Sequence, residues 1–188
     1  GIRDVRKFCG CSGGGCRRYG QTTRRERENE MTIKVGDRLP STSFEVIGEG
    51  AVSTDTLCPG KKVVLFGVPG AFTPTCSAEH VPSFKANAAA LRAKGVDAVG
   101  CVSVNDAFVM QAWAEERQTG DDVMMLADGN GSFSDATGTA LDCSAWGMGQ
   151  RCTRYAMVVD DGVVTHIAVE DDPGVMTVTS AEAILAAL

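Results

Sequence analysis

Among the residues of this chain that could do chemistry, Cys76 has the most suggestive setting. It closes the segment Pro69-Gly-Ala-Phe-Thr-Pro-Thr-Cys76. A continuous apolar run over 61–68 precedes that segment, and an Ala-rich stretch over 77–94 follows it. This predicts a strand buried on both faces, a turn through Pro69-Gly70, and a helix opening near Cys76. First-turn N–H groups have no partner within a helix, and together with the macrodipole they favour an anion, which lowers the pKa of a thiol placed there. Pro74 suits a first turn because its missing N–H costs nothing there. Thr73, three residues upstream, brings a hydroxyl to the same place. A turn made of Pro, Gly and Thr is a poor hiding place for a core thiol, so a reactive, accessible sulfur is expected rather than a packed one.

Other cysteine chemistries fit less well. A thiol–disulfide oxidoreductase needs CxxC, but the position three after Cys76 is Glu79. A phosphatase loop needs an arginine six residues on, where Pro82 stands. A hydrolase needs a base, and only His80 and His166 are available. His80 lies one helical turn from Cys76 and is expected to be structural, since two side chains do not make a metal site. His166 should alternate outward along a strand.

Charge divides the chain. Residues 1–30 hold eight Lys/Arg against four Asp/Glu, leaving ten basic and twenty acidic residues beyond them. So acidic a body would repel a phosphate backbone, which argues against nucleic acid as a partner. No apolar run approaches the roughly 18 residues of a membrane span. The eight cysteines include no CxxC pair and form no secreted-type framework, and residues 1–30 have no apolar signal core. A reducing, cytoplasmic compartment is therefore expected. The basic tract over 1–30 is expected to be disordered and without a catalytic role. It reads as an organellar presequence (plastid or mitochondrion), as an upstream-translation artefact ahead of Met31, or as a metal-binding tail through Cys9, Cys11 and Cys16. Glu26, Glu28 and Glu30 count against a presequence, and the absence of histidine in the tract counts against zinc.

From 31 to 188 the pattern predicts one α/β domain. Strands are expected over 96–104 and 123–127. Between them Asn105 or Asp106 caps a helix over 107–118, with apolar positions 108, 109, 112 and 113 facing inward. Segments 154–159 and 163–169 flank Asp161-Gly162, a hairpin signal because both positions tolerate positive φ. A last helix, capped by Ser180, runs to 188.

Pro69, Thr73 and Cys76 match PxxxTxxC, the active-site signature of peroxiredoxins. The longer string from Gly67 to Ser77, with His80-Val-Pro after it, resembles the type II subfamily. The resemblance continues through Gly95-Val-Asp, Cys101-Val-Ser-Val-Asn-Asp106, Phe108-Val-Met110, Ala127-Asp-Gly129 and Arg154-Tyr-Ala-Met-Val-Val-Asp-Asp161, covering about residues 32–188. It implies a thioredoxin-like fold, with a mixed central sheet flanked by helices, and a homodimer without cofactor or metal. It implies reduction of hydrogen peroxide and alkyl hydroperoxides through a Cys76 sulfenic acid. Arg154 matches the family's distant-strand arginine, with Arg151 as the neighbouring candidate. Thr73 Oγ and the Thr75 and Cys76 amides are expected to hold the peroxide, and Pro69 to shield the sulfur.

Some type II relatives resolve the sulfenic acid with a C-terminal cysteine, which Met176-Thr-Val-Thr-Ser180 lacks. Cys101, Cys143 and Cys152 are the candidate resolving residues, with Cys101 expected to be buried and inert in its strand. Turnover is expected to rely instead on an external thiol, glutathione with glutaredoxin or thioredoxin. A peroxide sensor that passes oxidation to a partner protein needs the same thiol and is the alternative.

Ionisation alone cannot account for a fast peroxidase. A thiol of pKa about 8.5 is already roughly 3% ionised at neutrality, so full ionisation gains only about 30-fold. Enzymatic enhancements begin near 10⁶-fold, so alignment and transition-state electrostatics must supply most of the rate.

Overall fold

The computed structural model describes residues 33–188; the expectations for residues 1–30 lie outside them. Nine strands are described: β1 Ser43–Val46, β2 Gly50–Ser53, β3 Lys62–Gly67, β4 Ala98–Ser103, β5 Met124–Ala127, β6 Ala140–Asp142, β7 Gln150–Cys152, β8 Tyr155–Asp160 and β9 Val163–Val169. Seven of them form one mixed sheet in the order β2-β1-β5-β4-β3-β8-β9. β3, β4 and β5 run parallel, and β8 is antiparallel to β3. The α/β expectation holds.

Period-two alternation sorts the sheet's side chains between two cores. Val64, Phe66, Cys101, Ala156 and Val158 pack on one face with Val81, Phe84, Met110 and Trp113. Val63, Leu65, Val102, Tyr155, Met157 and Val159 pack on the other with Phe44 and Phe133. Arg154, one residue before β8, continues the first series. That phase puts its side chain on the face of Ala156 and Val158.

Strand register brings the site's two halves to one edge. Gly67, the last residue of β3, pairs with Tyr155, the first of β8. The chain therefore leaves β3 toward Cys76 beside the point where Arg154 enters β8. Glycine is required at 67, since an added Cβ would lie 2.0 Å from Tyr155 Cε1.

The hairpin forms as expected, with Asp161 at φ 48° and Gly162 at φ 79°. Asp106 caps the helix Ala107–Arg117 through a bond from the Val109 amide, and Ser180 caps the helix Ala181–Ala187 in the same way through Ala183. Two expectations need correction. The helix expected over 77–94 is three pieces: a π-helical turn over Cys76–His80, then α-helices Val81–Ala86 and Ala88–Ala93, parted at Asn87. Asn87 folds its amide back onto the Ser83 carbonyl at 2.9 Å, a local bond that competes with helix continuation. The inward stripe of Ala107–Arg117 is also shifted: Met110 and Trp113 are buried, whereas Phe108 is 76% exposed. The large Met and Trp side chains set the helix phase and leave Phe108 in solvent.

Candidate active site

The helix that carries Cys76 begins earlier than the pattern implied. Pro74 and Thr75 are already helical, and the Ser77 amide donates to the Thr73 carbonyl at 3.0 Å. Pro74 has no N–H to lose, and the Thr75 and Cys76 amides fall in the first turn, where the helix offers them no carbonyl. The turn then widens, with the Val81 amide donating to Cys76 O in an i→i+5 bond.

The expectation of an accessible sulfur is not met. Cys76 is 0% exposed and belongs to the core of Phe66, Val68 and Val81. Because two helical residues precede it, the first turn rotates Cys76 toward the sheet instead of the solvent. Ahead of it, Phe72 takes a left-handed φ of 62°. Its half-exposed ring lies 6.3 Å from that of buried Trp113.

Arg154 is only 1% exposed, and its guanidinium meets the sulfur directly. Nη2 donates to Cys76 Sγ at 3.2 Å, Nη1 to His80 Nδ1 at 2.9 Å and Nε to the Pro173 carbonyl at 3.0 Å. A planar fork with every edge engaged has one orientation. His80, also buried, lies 2.9 Å through Nε2 from the Thr179 carbonyl. Guanidinium only donates and a carbonyl only accepts, so His80 is neutral, with its proton on Nε2. Burial and then the Arg154 charge push the imidazole pKa down to about 3. His80 is therefore structural, as expected, and part of the site's scaffold. His166 is half-buried on β9 rather than pointing freely outward.

Thr73 Oγ donates to the Gly70 carbonyl at 2.8 Å, which spends its only proton and leaves its lone pairs as acceptors. Thr75 Oγ donates to the Gly174 carbonyl at 2.6 Å. Pro69 is half-buried at the exit of β3. Arg151, half-buried in β7, donates to the Met148 and Val104 carbonyls at 2.8 and 3.2 Å. It borders Gly70 and ties the Met148 and Val104 loops together.

The other described cysteines are free and buried. Burial pushes Cys58 up to about 11 and Cys152 up to about 12, and raises Cys101 and Cys143. Cys152 donates to the Val68 carbonyl at 3.1 Å. Trp113, expected in core or interface, is core, and its Nε1 donates to Ser77 Oγ at 3.1 Å. Trp146, in a 3-10 turn over Ser144–Trp146, is 71% exposed. Among the described residues no group of three or more His, Cys, Asp or Glu could hold a metal, and no helix is long and apolar enough to cross a membrane.

Glu170 is the residue whose part at the site sequence reasoning missed. An acidic residue in Glu170-Asp-Asp172 reads as solvated surface, yet Glu170 is 4% exposed. Burial raises its pKa, but bonds from Thr177 and Thr179 side chains and from the Thr177 and Val178 amides outweigh this and hold it at about 2.

Known proteins resemble this chain in sequence and in fold. The Redoxin family model matches residues 34–185. Peroxiredoxin-2E, chloroplastic, of Arabidopsis thaliana is 46% identical over 164 residues, covering 84% of this chain and 70% of that protein. Peroxiredoxin-2E-2, chloroplastic, of Oryza sativa subsp. japonica is 50% identical over 165 residues, covering 84% and 73%. The crystal structure of reduced Prx3 from Vibrio vulnificus in complex with H2O2 superposes with a TM-score of 0.79 at 48% identity, covering 84% of this chain and all of that one. The chain belongs to the peroxiredoxin family, within its type II branch, and is a thiol peroxidase.

Proposed function

We propose that Cys76 is the peroxidatic cysteine and that Arg154 and Thr73 align the peroxide for it. The observation that carries this reading is the 3.2 Å bond from Arg154 Nη2 to Cys76 Sγ. Cys76, as thiolate, attacks the terminal peroxide oxygen in line. The S–O bond forms, the O–O bond breaks, and the departing oxygen leaves as water or alcohol after taking a proton. Sulfur ends as sulfenic acid. Arg154 Nη2 lies beside both the sulfur and the developing charge. Because Thr73 donates to Gly70, it serves as acceptor for the peroxide O–H, while the first-turn amides of Thr75 and Cys76 donate to the peroxide oxygens. Pro69 limits access of water to the sulfur. The turn over 70–75 has to yield for substrate to enter, because the sulfur is covered.

Regeneration falls to an external thiol. The sulfenic acid condenses with it, releasing water and leaving a mixed disulfide that a second thiol reduces. Buried Cys101, Cys143 and Cys152 are poor resolving partners, since none presents a ready thiolate. Hydrogen peroxide is the first substrate to test, as a similar structure is a complex with it. The test is peroxide consumption with glutathione–glutaredoxin against thioredoxin as donor. Turnover with either supports the reading, whereas a stoichiometric intramolecular Cys76 disulfide on peroxide treatment contradicts it.

Residues 31–188 form the catalytic domain on this reading. A homodimer is supported by the exposed aromatics Phe72, Phe108 and Trp146, at 51%, 76% and 71%; sedimentation velocity tests it. The chloroplastic names of two similar relatives favour a plastid over the cytoplasm. Imaging of fluorescent fusions with and without residues 1–30 tests that.

A further inference from the structure

Two of the three contacts that orient Arg154 depend on one irregular stretch of chain. Residues 171–180 have no helix or strand. The Pro173 carbonyl in that stretch accepts from Arg154 Nε at 3.0 Å. The Thr179 carbonyl holds His80, whose opposite nitrogen accepts from Arg154 Nη1. Between them the Gly174 carbonyl accepts from Thr75 Oγ at 2.6 Å. The stretch is thus a strap, and three of its carbonyls face the site.

A strap without regular structure needs something to fix it, and Glu170 supplies this. Its backbone amide donates to the Arg154 carbonyl at 3.0 Å, so it starts the strap directly beside the arginine. Its carboxylate then gathers the far end. Oε1 accepts from the Thr177, Val178 and Thr179 amides at 2.7, 2.8 and 2.9 Å, and from Thr179 Oγ at 2.9 Å. Oε2 accepts from Thr177 Oγ at 2.5 Å. Charge-assisted bonds of this kind are about twice as strong as neutral ones, and here five converge on one buried group.

We propose that Glu170 is the positioning residue of the site: its carboxylate locks the far end of the strap at 177–179, and the Thr179 carbonyl held there aims Arg154 at Cys76 through His80. The proposal rests on the assignment of Cys76 and Arg154 made above. Glu170 touches no reacting atom. With its carboxylate removed, the far end of the strap is released and the Thr179 carbonyl no longer fixes His80, so the fork loses its Nη1 edge. Pro173 stays beside the turn in which the Gly174 amide donates to Asp172 Oδ1 at 2.8 Å.

The experiment is a double-mutant cycle on the single-turnover rate of Cys76 oxidation by hydrogen peroxide, on protein verified as folded by circular dichroism. Glu170→Ala is expected to slow oxidation about 10- to 100-fold, the scale of a misplaced catalytic group. In an Arg154→Lys background the same change should cost less than about 3-fold, because what Glu170 aims is already gone. Glu170→Gln, whose amide oxygen can still take the backbone donors, should restore most of the rate. Equal losses in both backgrounds would mean a general structural role and overturn the proposal, as would a Glu170→Ala rate within 2-fold of wild type. If Glu170→Ala does not fold, Glu170→Asp, which retracts the same carboxylate by one methylene, is put through the same cycle and judged by the same outcomes. Should Arg154→Lys alone react as fast as wild type, the underlying assignment of Arg154 fails instead, and the two failures are told apart.

Discussion

His80 Nδ1 and Arg154 Nη1 face each other at 2.9 Å in a site closed to solvent. The contact exists only while the imidazole is neutral, so a protonated His80 would set two cations against each other. In the folded protein its pKa is about 3 against an ordinary 6.5. The unfolded chain therefore takes up a proton from about pH 6.5 downward, while the folded chain does not, and stability falls as pH drops through that window. From pH 6.5 to 5 the loss should be on the order of 1 to 2 kcal/mol. Urea denaturation at several pH values should show this slope in the wild type and a flatter one in His80→Gln. Glu170, held at about 2, adds a loss of the same sign only below its ordinary 4.5, outside that window.

Arg154→Lys keeps the charge but cannot reproduce a fork that bonds Cys76, His80 and Pro173 at once. Peroxide reduction should fall about 10²- to 10³-fold, comparable to losing one transition-state donor. Stopped-flow kinetics at fixed pH would check this.

Thr73 separates geometry from ionisation. Thr73→Val removes the oxygen that Gly70 orients, and the oxidation rate should fall at least about 10²-fold. Alkylation of Cys76 by iodoacetamide should change far less. Thr73→Ser should retain most activity. Proportional losses in both reactions would show that Thr73 acts through the thiolate fraction, contradicting the positioning role.

Gly67→Ala probes the register that joins the site's halves. Its Cβ would sit 2.0 Å from the Tyr155 ring, which is itself fully buried. Overpacking of this kind costs about 1–3 kcal/mol or more. Thermal unfolding should show a lower Tm, and peroxidase activity should fall with the displacement of Arg154.

What the sequence made legible was local. The run over 61–68 and Asp161-Gly162 each carry their own signal, and each forms, whereas the turn expected through Pro69-Gly70 falls one step later, at Ala71-Phe72. Cys76 was found from its place at a strand-to-helix turn and Arg154 through the family pattern, and the register Gly67↔Tyr155 explains why they meet. Burial was read correctly at Cys101 and Trp113 but misread at Cys76 and Phe108, where long-range packing decides it. Cys76 turns inward because Pro74 and Thr75 already belong to its helix. Phe108 points outward because Met110 and Trp113 set the phase. The short strands β1, β2, β6 and β7 carry too few residues for periodicity to register. Glu170 was invisible because the Thr177, Val178 and Thr179 groups that bind it come into place only when the strap folds back.

The most direct test of the account is single-turnover consumption of hydrogen peroxide by the reduced protein, without added reductant, compared with Cys76→Ser. The wild type should rapidly consume one equivalent and yield a dimedone-trappable sulfenic acid at Cys76, while the variant, with its other cysteines intact, should consume essentially none. Consumption by Cys76→Ser at the wild-type rate would contradict the claim that this buried, arginine-bound sulfur carries the reaction.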